Sequence, residues 1–124
     1  MQFSNRLIDG AKRLRYLGLA WEPRPGHYVW DQAGLIDTPS PFQEGVYFIL
    51  DLKHFLRRAG TMEILKESFF WLPTWHDARE ILQALGISDT RVASRLASKA
   101  AVESRDELMV LYDLIAEQLE QPTD

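Results

Sequence analysis

Six times along this chain a Ser or Thr stands just ahead of apolar residues at helical spacing. The candidate caps are Ser4, Ser40, Thr61, Thr74, Ser88 and Ser104, and Gly18, Gly60 and Gly86 stand where three of the helices would end. A capping hydroxyl accepts a hydrogen bond from one of the four N–H groups that a first helical turn leaves unpaired. Glycine reaches the left-handed conformation that closes a helix without a Cβ clash. This punctuation commits most of the chain to short packed helices.

Behind Ser4, residues Leu7, Ala11, Leu14 and Leu17 form one stripe, and Gly18 stops it. Ser40, Pro41 and Gln43 read as a capped start with proline at the first helical position. Phe42, Val46, Ile49, Leu52 and Leu56 then repeat at helical spacing, so one helix is expected over 41–59. Its rival is an α+β reading, with a strand at 46–50 and a short helix from Asp51. Thr61 opens a helix to about Phe70. Thr74 with Asp77 starts another that runs to Leu85, and Ser88 starts one over 89–101. Ser104-Arg-Asp-Glu107 has the spacing of a capping box. It opens a last helix with Leu108, Leu111, Ile115 and Leu119 inward. Gln121 to Asp124 reads as a tail.

One segment breaks the helical texture. Trp21-Glu-Pro-Arg-Pro-Gly26 holds two prolines and a glycine and cannot be helical. His27-Tyr-Val-Trp30 is aromatic and β-branched, and Leu35-Ile36-Asp37 can return beside it after a turn. A small hairpin over 27–37 is expected. The expected fold is therefore mainly α: about six helices in one compact domain, 1–124, with that small hairpin near its start.

Composition narrows the chemistry. The 124 residues contain no cysteine, which excludes disulfides, thiolate metal sites and thiol catalysis. No apolar run approaches the length of a membrane span, and the N-terminus lacks the order of a signal peptide. A cytoplasmic location follows by elimination. The net charge of −4 argues against a general polyanion binder. Charge is concentrated at the two ends. Residues 1–17 carry four cations against Asp9, and residues 103–124 carry seven carboxylates against Arg105. The two ends either screen each other or recruit a partner of opposite sign.

Three groups of residues are candidate sites. The first is Ala78 to Leu96, where Gly86 forms a turn between two helices and Ile81, Leu85, Ile87 and Val92 take inward positions. Over these 19 residues the chain loosely resembles the helix-turn-helix family, which implies a DNA-binding second helix. Arg91, Arg95 and Lys99 would be its basic face. Leu82 and Arg95 depart from the family pattern, which favours a small residue at the first position and an apolar one at the second. Ala93, Ala97, Ala100 and Ala101 suggest instead that the second helix packs closely in a bundle. The basic face is expected to pair with carboxylates of residues 103–113.

The histidines His27, His54 and His76 each have a nearby Asp, but none has the spacing of a metal-ligand pair. They read as exposed or capping residues. The four tryptophans carry more weight. Trp21 and Trp30 bracket the Pro-Gly loop, and Trp71 and Trp75 bracket Pro73. With Arg24 and His27 they form either part of the core or an aromatic recognition surface or pocket. No nucleophile elbow or phosphate loop occurs.

The leading expectation is a non-enzymatic protein-interaction or regulatory module that self-associates. The helix of 41–59 or the last helix would supply the contact. The alternatives are a DNA-binding regulator acting through 78–98 and a small-molecule-binding domain with a tryptophan-lined pocket. No catalytic residue, metal ligand or cofactor is expected.

Overall fold

A computed structural model describes residues 2–121; of the tail expected from Gln121 to Asp124, residues 122–124 lie outside them. Among the described residues there are seven helices and three strands: α1 (Asn5–Tyr16), β1 (Tyr28–Asp31), β2 (Val46–Phe48), α2 (Leu52–Ala59), α3 (Met62–Ser68), β3 (Phe69–Leu72), α4 (Trp75–Ala84), α5 (Asp89–Ser98), α6 (Ala101–Ser104) and α7 (Glu107–Glu120). The fold is mainly α with a small antiparallel sheet of order β2-β1-β3. Ser4, Thr61, Thr74 and Ser88 cap their helices as expected, and Thr74 with Asp77 forms a reciprocal box.

The sheet separates two apolar clusters. Tyr28, Trp30, Val46 and Leu72 pack with α1, α4, α5 and α7, around Leu14, Leu82, Val92 and Ile115. Val29, Tyr47 and Phe69 point the other way, onto Phe55 and Ala59 of α2 and Leu65 of α3. Alternating side chains let a short strand feed both clusters.

Four expectations about element type or extent fail. The helix over 41–59 is absent, and the rival strand-then-helix reading is what the chain adopts. Val46, Tyr47 and Ile49 are all buried. On a helix Tyr47 would point about 100° from Val46 and about 160° from Ile49, off the stripe those two share. Gly45 has φ +82°, Ser40 folds its hydroxyl into a turn onto the Phe42 and Gln43 N–H groups, and Asp51 caps α2 through the His54 N–H at 2.9 Å. The hairpin over 27–37 also fails in its second half. β1 pairs with β2 and β3 and not with 35–37. The buried Asp31 carboxylate accepts the N–H groups of Leu35 and Ile36 at 2.9 Å each and curls that segment into a turn. The helix expected to reach Phe70 stops at Ser68, and Phe69 to Leu72 form β3. Its consecutive bulky residues fill both sides of the sheet, which no single helical stripe can do. Finally, Ser104 caps nothing. It ends α6 with its hydroxyl bonded back to the Ala100 carbonyl at 2.9 Å, and α7 begins behind Asp106 without a side-chain cap.

The charged ends meet. α1 lies along α7, with Arg6 at 3.7 Å from Asp106 and Arg13 paired to Glu120. Exposed pairs like these contribute about 0–1 kcal/mol each. The charge pattern therefore marks which helices are neighbours more than what holds them together.

Candidate functional site

The tryptophans do not act together. Trp21, on the loop after α1, and Trp71, on β3, stack with ring centroids 6.4 Å apart and planes 12° from parallel. His27 joins them: its ring lies 4.7 Å from that of Trp71, and its Nδ1 accepts the Trp21 indole N–H at 3.1 Å. The expectation that the histidines are exposed or capping fails here, since His27 is only 4% exposed. An Nδ1 that accepts a hydrogen bond leaves the ring proton on Nε2. Burial lowers the pKa of His27; Asp77 and Glu80 pull it back up, and Arg24 adds to the lowering. The ring is a neutral wedge beside two indoles.

Beside this cluster a cleft of about 200 Å³ opens. It is lined by Ala11 and Arg15 of α1, Leu19 and Trp21 of the following loop, Lys66 of α3 and Trp71 of β3. The Arg15 guanidinium donates to the carbonyls of Glu67 and Phe69, tying α1 to the α3–β3 junction. β3 is an edge strand, so this arginine also covers part of its free backbone. Lys66 Nζ reaches Glu22 at 2.7 Å. The Trp71 indole N–H is buried and has no partner among the described residues. The lining contains no carboxylate and no hydroxyl; its charged side chains are Arg15 and Lys66.

The other expected site residues lie apart from the cleft. Trp30 is on the opposite face of the sheet, over Gly45, with Lys12 Nζ 5.8 Å from its ring and its indole N–H given to Gln32 at 2.8 Å. Trp75 opens α4, is 37% exposed, and has the Arg79 guanidinium 5.8 Å from its ring. Arg24 is exposed; its carbonyl accepts the His27 backbone N–H at 3.2 Å, and its charge adds to the lowering of the His27 pKa. His54 is exposed, and His76 meets Glu80 at 2.8 Å. Arg15, Lys66, Ala11 and Leu19 were not anticipated. No local motif marks them, because the cleft joins α1 to segments some fifty residues away.

The helix-turn-helix segment presents a poor phosphate surface. Arg95 is paired with Glu117 of α7, and the charges of Arg91 and Lys99 also bear on that carboxylate; together they lower its pKa. Pairing with the last helix occurs, but beyond the expected residues 103–113. Asp89 occupies the first turn of α5 and binds Arg79 at 2.6 Å, placing a carboxylate where a DNA reader would approach bases. Ala93, Ala97 and Ala100 are exposed, contrary to the packing expectation, and only Ala101 is buried. Leu85, expected inward, is also exposed, because Ile87 and Val92 fill that part of the core.

No helix among the described residues is long and apolar enough to cross a membrane. Among the same residues, no group of three or more His, Asp or Glu is placed to hold a metal. Comparison with family models, with curated proteins and with solved structures finds no match to this chain.

Proposed function

We propose that this chain is a non-enzymatic binding module, and that the cleft between Trp21 and Trp71 holds its ligand or one side chain of a protein partner. The observation that carries this reading is the size and lining of the cleft. Sites for drug-sized ligands and cofactors occupy roughly 300–1,000 Å³, whereas a dry cavity of about 150 Å³ is enough for benzene. At about 200 Å³ the cleft suits a single ring or one side chain. Two indoles supply flat apolar area, and two cations stand at its rim.

The test is tryptophan fluorescence and melting temperature across a set of one-ring probes, repeated in Trp21→Ala. A ligand of this cleft should quench or shift the indole emission and raise the melting temperature by mass action. Both effects should vanish in the variant. A flat response across neutral, anionic and cationic probes would rule the reading out.

Self-association draws less support from the two helices suggested for it. The helix of 41–59 does not form, and α7 spends Leu111, Leu114 and Ile115 in the core. The DNA reading loses Arg95 to Glu117.

A further inference from the structure

Resting on the cleft reading above, we infer that the ligand group is anionic: a small carboxylate with a flat apolar body, of the arylalkyl carboxylic acid class. The inference comes from counting donors against acceptors. The polar side chains among the lining residues are Arg15, Lys66 and the indoles of Trp21 and Trp71. All are donors and none can accept. The Trp21 N–H is spent on His27, and that of Trp71 is buried, so the donors open to an occupant are those of the two cations. Arg15 gives two of its five N–H donors to backbone carbonyls and keeps the rest. An occupant must therefore bring the acceptors, and a carboxylate brings the most. A guanidinium that keeps N–H donors can bind a carboxylate oxygen by a charge-assisted hydrogen bond. The indole faces and Leu19 then suit a ring and not a polar chain.

Glu22 already holds Lys66 at 2.7 Å, from a side chain 81% exposed. It is an internal carboxylate competing for the cation that a ligand would use. Removing that competitor should tighten binding, and removing the cation should weaken it. A purely apolar cleft would respond to neither change.

The experiment titrates phenylacetate and its neutral isostere phenylacetamide against the full chain. Binding is read by calorimetry and by the indole N–H signals in NMR. Phenylacetate should bind about three- to tenfold more tightly than the amide, the range for one charge-assisted contact in a partly exposed site. Glu22→Gln should widen that preference, Lys66→Met should reduce it towards what Arg15 alone supplies, and added salt should narrow it. Equal binding of the two probes, unchanged in both variants, would overturn the anion inference and leave the cleft reading intact. If neither probe moves the Trp21 or Trp71 signals, both readings fall.

Discussion

At the residue scale, His27 shows how burial makes a side chain conditional. Its Nδ1 can accept the Trp21 indole only while unprotonated, and burial disfavours the charged ring. Its folded pKa therefore lies below its ordinary 6.5, despite Asp77 and Glu80. Between the two values the unfolded chain binds a proton that the folded chain does not. The stability due to His27 is thus fully present above 6.5 and is lost as pH falls towards the folded value. Denaturant midpoints measured between about pH 7 and pH 5 should fall with pH in the native chain. The slope should be shallower in His27→Gln, whose amide oxygen can still accept from Trp21. Parallel slopes would show that His27 does not carry the effect.

At the element scale, α6 is a single turn held between two strained residues. Ala100 has φ +49° and Arg105 has φ +61°, both in the left-handed region where a Cβ is crowded. Glycine there relieves the crowding but gains freedom in the unfolded chain, so the two effects partly cancel. The strain relief should win. Ala100→Gly and Arg105→Gly should each stabilise by about 0.5–1 kcal/mol in urea unfolding. A loss of stability at both positions would show that α6 is under no such strain. The same pair of residues explains the misread start of α7. Ser104 satisfies the pattern of a cap, yet its hydroxyl is taken by the turn behind it.

At the scale of the whole molecule, the seam between α1 and α7 fixes how the helical layer closes. Gly10 sits on that seam. A Cβ there would lie 2.9 Å from the Met109 Cε and 3.1 Å from the Tyr112 ring. Met109 can bend away. Tyr112 cannot, because it is buried and its hydroxyl donates to the Pro73 carbonyl. Gly10→Val should therefore destabilise by about 1–3 kcal/mol, the usual range for overpacking, and should lower the melting temperature. If the variant melts where the native chain does, the two helices are further apart than described.

What the sequence determined by itself was local. The caps at Ser4, Thr61, Thr74 and Ser88 and the turn at Gly86 act within one helical turn, so a few neighbouring residues suffice to specify them. The mainly helical class follows from these signals. Tertiary structure decided what depended on distant partners. Val46 to Phe48 and Phe69 to Leu72 are strands because each finds β1, and an isolated apolar run cannot say whether a partner strand exists. The cleft belongs to the same class. Trp21 and Trp71 were both legible as unusual, but their stacking is a tertiary contact, and Trp30 is parted from them because it points to the other face of the sheet while Trp75 lies on α4. Arg15 and Lys66 join the indoles only because α1 and α3 converge on β3, a long-range contact that no spacing along the chain encodes.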